Sequence, residues 1–281
     1  MGTNGYVKDV LVSTDWLAAQ LGSESVVVAE VDENPDLYDE GHIPGAVKLH
    51  WRDDLQDPLE RDLVDRERFE QLLGERGIRN DTTVVVYGDK NNWFAAYAYW
   101  YLKLYGHADV RILDGGRQKW IDEGRELTTD APQVAGASYS AKPLDTSIRA
   151  YRDYVREAID KGGKALVDVR SPQEYAGELA APPGYENEGA SRLGHIPTAQ
   201  SIPWAQAVSE DGTFKPADAL AELYGAKGVK PEQETIAYCR IGERSAHTWF
   251  VLHELLGHEN VRNYDGSWTE WGNLVDVPIE R

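Results

Sequence analysis

The sequence predicts an α/β fold built from two tandem copies of one domain, each a mainly parallel sheet flanked by helices. Three observations carry this. At 281 residues the chain is long for one core and comfortable for two domains of about 140 residues each. It also repeats itself: "GHIPGAVKLHW" (41–51) returns as "GHIPTAQSIPW" (194–204), and "LYGHADVRILDGGRQKW" (104–120) returns as "LLGHENVRNYDGSWTEW" (255–271). Finally, each copy alternates short apolar runs with helical patterns, the order expected of parallel strands joined by crossover helices.

Taken in order, "STDWLAAQL" reads as a helix with Ser13 or Thr14 as N-cap. Val26 to Val31 and Val84 to Tyr87 read as buried strands, because short β-branched runs between turn residues suit a sheet covered on both faces. Between them "RERFEQLLGERG" is a helix that stops at glycine. The second copy repeats the scheme with the helix "AYRDYVREAIDKGG", the strand "KALVDV" and the helix "ADALAELYGAKG". The expected boundaries are a first domain over 1–130, a linker over 131–147 rich in small, polar and proline residues, and a second domain over 148–281. The second copy carries an insert, 176–193, too rich in Gly, Pro and Glu for a core element; it reads as a surface loop, with a cover over the site as the alternative.

Composition narrows the function. A hydrophobic fraction of 41% with 15 Tyr and 9 Trp argues for a folded protein. A formal charge of −19, from 29 basic and 48 acidic residues, repels a phosphate backbone and argues against nucleic-acid binding. An anionic substrate must therefore be drawn in by a local positive site. No charged-then-apolar leader opens the sequence and no run of about 18 apolar residues occurs, so a cytoplasmic protein without membrane contact is expected. The single cysteine excludes an internal disulfide, and neither a zinc spacing nor a nucleotide-binding glycine loop is present, so neither metal nor cofactor is expected.

The duplication supplies an internal control. His42 and His195 stand in both "GHIP" turns, one of them in a copy without cysteine, so a turn or capping role is expected of them rather than catalysis. Asp114 with Asp265, and Trp120 with Trp271, are judged folding residues on the same ground. From Tyr87 over Tyr238 to Trp120 over Trp271 the register needs no gap, and the copies part immediately after the strand. There "GDKNNW" (88–93) faces "CRIGER" (239–244), so Cys239 takes the place of Gly88 at the carboxyl end of a strand, where open α/β sheets bind ligands.

A lone cysteine is usually a small inert hydrophobe. Here the surroundings argue otherwise. Backbone N–H groups of Ile241, Gly242, Glu243 and Ser245, curling into the helix "SAHTWFVLHELLG", can form an anion-binding nest at a helix N-terminus. Arg240 and Arg244 add permanent positive charge, and Gly242 permits a backbone conformation that L-residues resist. All favour thiolate, so the Cys239 pKa is expected to fall well below about 8.5. Glu243 is discordant, and its carboxylate is expected to point away from the sulfur. Phosphate-ester hydrolysis by tyrosine phosphatases uses Cys, five residues, then Arg. Only four residues separate Cys239 from Arg244, which favours sulfur chemistry on the cysteine over phosphate.

The doubled domain, the "GHIP" turns, the "DG…W" segments and "CRIGERS" together resemble the two-domain rhodaneses, and among them the thiosulfate sulfurtransferases. The resemblance spans nearly the whole chain. It implies ping-pong transfer of sulfane sulfur from thiosulfate through a Cys239 persulfide to cyanide or a thiol, with sulfite released. It further implies substrate binding by Arg244, with Arg240 in the variable part of the loop and Arg170 lending charge from the same sheet edge. Trp93 and Phe94, after the first copy's equivalent loop, are candidates for an apolar wall of the site or for ordinary packing. Some relatives carry Arg where Glu174 stands, which leaves more of the anion binding to Arg244. The partners implied are a small anionic sulfur donor and a thiophilic acceptor, and nothing requires more than a monomer. The alternatives are transfer from 3-mercaptopyruvate, which relatives with an uncharged Cys-Gly-Ser/Thr-Gly loop tend to prefer, and a persulfide relay serving a protein acceptor.

Overall fold

The computed structural model describes residues 4–182, 184–185 and 189–281, which form two compact units. The first comprises Val10–Asp145 with Val208–Phe214; the second comprises Thr146–Ala207 and Lys215–Arg281 with the N-terminal residues through Asp9.

In the first unit the strands are β1 (Leu11–Val12), β2 (Val26–Glu30), β3 (Val47–Lys48), β4 (Thr83–Tyr87) and β5 (Val110–Leu113). They form one sheet in the order β1-β5-β4-β2-β3, every pair parallel. Val84, Val85 and Val86 are fully buried, as strands covered on both faces must be. The helices are α1 (Thr14–Gln20), α2 (Leu37–Glu40), α3 (Arg66–Glu75), α4 (Trp93–Leu104) and α5 (Gly116–Asp122). Ser13 is the cap of α1, its hydroxyl accepting from the Trp16 N–H at 3.1 Å. Asp65 caps α3 in the same way, and Gly77 follows that helix with a left-handed φ of 70°.

The second unit repeats this with α6 (Arg152–Lys161), β6 (Ala165–Asp168), α7 (Pro172–Tyr175), β7 (Gln200–Ser201), α8 (Ala217–Gly225), β8 (Thr235–Tyr238), α9 (Glu243–Trp249), β9 (Val261–Tyr264) and α10 (Ser267–Trp271). Its sheet runs β7-β6-β8-β9, again all parallel. Where β1 pairs with β5 in the first unit, the second has a single parallel bridge from Arg149 to Asn263. The helix expected to begin near Ser245 begins two residues earlier and continues through Phe250–Leu255 as a π-helical segment.

The stretch expected as a free linker lies along the first unit. Ala137 donates its N–H to the Gly74 carbonyl at 2.9 Å, and Lys142 and Asp145 donate to Tyr105 and Leu104. Gly74 allows that approach, since a Cβ there would stand 2.5 Å from the Ala137 oxygen.

The histidines of the two "GHIP" turns take matching structural places. The His42 ring stacks on Tyr38 at 3.9 Å with Nδ1 2.9 Å from the Tyr38 carbonyl, and the His195 ring stacks on Tyr175 at 3.6 Å with Nδ1 2.9 Å from its carbonyl. Trp120 and Trp271 likewise each donate the indole N–H to a nearby carbonyl, of Glu126 and Pro278. Among the described residues no helix is long and apolar enough to cross a membrane, and no group of three or more His, Cys, Asp or Glu could hold a metal ion.

Candidate active site

β8 delivers Cys239 to the carboxyl edge of the second sheet, and the chain then turns through Arg240, Ile241 and Gly242 into α9. Gly242 makes the turn possible twice over. Its φ is 102°, and a Cβ would come within 2.6 Å of the Asp265 Cα. The Gly242 N–H points at the sulfur, donating to Cys239 Sγ at 3.1 Å. Ser245 and Asn263 fix the loop from below: the Ser245 hydroxyl and the Asn263 amide donate to the Gly242 carbonyl at 3.1 and 2.9 Å. Ser267 accepts the Cys239 N–H at 3.0 Å, and the Cys239 carbonyl accepts from the Trp268 N–H at 3.1 Å. Thus the Cys239 backbone is held on both sides, and Cys239 is fully buried.

The charges are arranged differently from the expectation. Glu243 does not point away: its Oε2 lies 3.5 Å from Sγ, and the thiol donates to it. The side chain has no outward route because Glu243, at the first turn of a buried helix, is only 3% exposed. Burial pushes the Cys239 thiol up, the Glu243 carboxylate pushes it further, and Arg244 with the Ser245 N–H pulls only partly back. The resting thiol therefore lies above its ordinary range, not below it. Burial raises the Glu243 carboxyl too, against the pull of Arg244 and Arg240.

Arg244 is gripped by Glu174, Nη1 to Oε2 at 3.0 Å and Nη2 to Oε1 at 3.1 Å, a two-point pairing in the buried interior. Glu174 is itself placed by a capping box at the start of α7 with Ser171. Burial opposes its ionisation, but Arg244, the Ser171 N–H and Arg170 together outweigh burial and hold the carboxyl below its usual range. The residue read in the sequence as a missing arginine is thus the orienting partner of the one that remains.

Arg170 does not serve the loop. It is fully buried, paired with Asp168 through Nη2 at 2.6 Å, bonded to the Gly194 carbonyl at 2.8 Å and stacked 4.5 Å over Trp268. Its charge is neutralised inside the fold, which corrects the expectation that it lends charge to substrate. Arg240 turns to the insert, donating to the Tyr185 carbonyl at 2.9 Å and lying 5.2 Å over its ring. Residues 183 and 186–188 of that insert lie outside the described residues. Ile241 is 5% exposed beside the sulfur. Trp93 and Phe94 pack in their own unit, ring to ring at 5.5 Å, with Phe94 4.8 Å from Trp51.

The first copy's loop could not host the same chemistry. A Cβ at Gly88 would lie 2.1 Å from the Val31 carbonyl oxygen, and the loop is held instead by Asn92, whose amide accepts from the Gly88 N–H and donates to the Leu113 carbonyl. Asn263, Ser267 and Glu174 were missed as site residues. Two carried a signal: in the gap-free register Asn263 replaces Ile112 and Ser267 replaces Gly116, polar for apolar and hydroxyl for nothing.

Comparison with known proteins bears on the fold and the family. The family model described as "Rhodanese-like domain" matches residues 13–123 and again 151–274. A protein of Saccharopolyspora erythraea named "Putative thiosulfate sulfurtransferase" is 60% identical over 273 residues, 97% of this chain and 96% of that one. The "Sulfur carrier protein TtuD" of Thermus thermophilus is 58% identical over 276 residues, 97% of each chain. Among solved structures, wild-type EanB superposes with a TM-score of 0.85 at 26% identity, covering 96% of this chain and 69% of that one. The chain, with two rhodanese-like domains in tandem and a cysteine at the loop of only the second, belongs to the rhodanese family of sulfurtransferases.

Proposed function

We propose that the chain is a thiosulfate sulfurtransferase that carries sulfur as a Cys239 persulfide. The observation that supports this most is the Gly242 N–H aimed at Sγ at 3.1 Å, beside an Arg244 already fixed by Glu174. A lone pair on the Cys239 thiolate attacks the outer sulfur of thiosulfate; the S–S bond breaks and its electrons leave with sulfite. The product is Cys–S–S⁻, whose anion the backbone N–H groups and Arg244 stabilise. Cyanide or a thiolate then attacks the outer sulfur, and the electrons of the broken bond return to Sγ. Burial of Cys239 and Ile241 keeps water from the persulfide between the steps.

Intact mass after thiosulfate treatment tests this. The wild type is expected to gain one sulfur atom and Cys239→Ala none, with thiocyanate formed when cyanide follows. A wild type that gains nothing, or a gain that persists in Cys239→Ala, overturns it. A second reading, transfer to a protein acceptor, is favoured by the name of the Thermus relative. It predicts loading by thiosulfate with little thiocyanate formed.

A further inference from the structure

We infer that Glu243 is the resident proton acceptor of Cys239, taking the thiol proton when the sulfur attacks and returning it when the sulfur is passed on. This rests on Cys239 being the nucleophile of the proposed reaction. Three observations carry it. Glu243 Oε2 is the side-chain oxygen the thiol donates to, at 3.5 Å. Cys239 is fully buried and Glu243 3% exposed, so a proton leaving Sγ meets this carboxylate before bulk water. The gap-free register places Glu243 over Asn92, which in the first copy holds the loop by amide hydrogen bonds. In the second copy Ser267 takes over both bonds, accepting from the Cys239 N–H and donating to the Tyr264 carbonyl, which leaves the Glu243 carboxylate available to the sulfur.

The other charged groups facing the pair leave this assignment standing. Arg244, on the same helix, already has the Glu174 carboxylate of α7, and Arg240 is directed to Tyr185. Asp265, in the turn before α10 that crosses Gly242, is paired with Arg149 at 2.8 Å. None of these is a base for the thiol. Burial raises both the thiol and the carboxyl, so the two groups compete for a proton as a pair.

The steps balance. Cys–SH with Glu–COO⁻ becomes Cys–S⁻ with Glu–COOH; the thiolate and thiosulfate dianion give Cys–S–S⁻ and sulfite dianion, while Glu243 keeps the proton. When cyanide removes the outer sulfur as thiocyanate, Cys–S⁻ is released and takes the proton back. No proton is exchanged with solvent in a turnover.

The test separates nucleophilicity from thiolate content. Cys239 is the chain's only cysteine, so labelling by methyl methanethiosulfonate, followed by intact mass, reports this thiol alone. Thiolate content is read from ultraviolet absorbance against Cys239→Ala. The wild type is expected to label at a nearly constant rate across the neutral range even where absorbance shows the thiol protonated. In Glu243→Gln, labelling should fall about tenfold per pH unit below the thiol midpoint, in step with absorbance. Glu243→Asp, which keeps a carboxylate, should retain the wild-type profile at a reduced rate and serves where the amide disturbs the fold. A wild-type rate that follows its own thiolate absorbance overturns the inference, since Glu243 would then act only by its charge. A wild type that labels as expected but gains no sulfur from thiosulfate removes the proposed function and leaves the proton transfer standing.

Discussion

At the scale of single residues, the site is a chain of paired charges in which each member is placed by another. Glu174 orients Arg244, whose charge acts on the sulfur that Glu243 also touches. Removing the orienting carboxylate should therefore do two things. Glu174→Ala leaves a buried guanidinium without its counter-ion and is expected to cost about 3–5 kcal/mol, read from the urea midpoint. Glu174→Gln keeps the shape, and is expected to raise KM for thiosulfate more than it lowers kcat, because Arg244 then loses its two-point hold. A KM unchanged in Glu174→Gln would show that Arg244 needs no orientation. Little of this pairing was legible in the sequence: Arg244 stood out beside Cys239, but its partner lies 70 residues away and becomes a neighbour only through the packing of α7.

At the scale of elements, the loop between β8 and α9 is where the two copies part, and its backbone matters as much as its side chains. Gly242→Ala must place a Cβ 2.6 Å from the Asp265 backbone at a φ of 102°. Loss of sulfur loading is expected, with destabilisation of at least about 1–3 kcal/mol. Gly163→Ala, at a φ of 84° with nothing within 4 Å, is the matched control and should cost about 1 kcal/mol with loading intact. The reverse transplant should fail: Gly88→Cys in a Cys239→Ala background is expected to gain no sulfur by intact mass and to lower the melting temperature, since its Cβ meets the Val31 oxygen at 2.1 Å. The position of the loop and its need for glycine could be read from the sequence, because a strand followed by a breaker and a helix is a local pattern. That the first copy closes the same position with a carbonyl could not.

At the scale of the whole molecule, the duplicated sheets answer one electrostatic problem in opposite ways. Glu30 pairs in register with Tyr87 and Asp168 with Tyr238, so the two carboxylates occupy equivalent strand ends. Arg117 from α5 meets Glu30 at 2.8 Å, whereas Asp168 is met by Arg170, two residues along its own chain. The first copy consequently has Asp32 where the second has Arg170, buried beside Glu30, and burial followed by the Glu30 charge pushes its pKa up to about 9. A carboxyl whose folded pKa exceeds its unfolded value stabilises most below the unfolded value and loses that contribution as pH rises through the folded one. Stability of the first unit is therefore expected to decline from about pH 4 toward pH 9, and Asp32→Asn to flatten that decline in urea midpoints measured across the range. A slope unchanged in Asp32→Asn would assign the decline to other groups. The sequence by itself determined the duplication, the alternation of strand and helix, the structural histidines and the place of the loop at which the copies part, because these are local patterns printed twice. Only the tertiary structure decided which charges cancel. Arg170 turned inward to Asp168, Arg244 took Glu174, and Glu243 faced the sulfur, since burial leaves a charged side chain no choice but the partner that packing brings within reach.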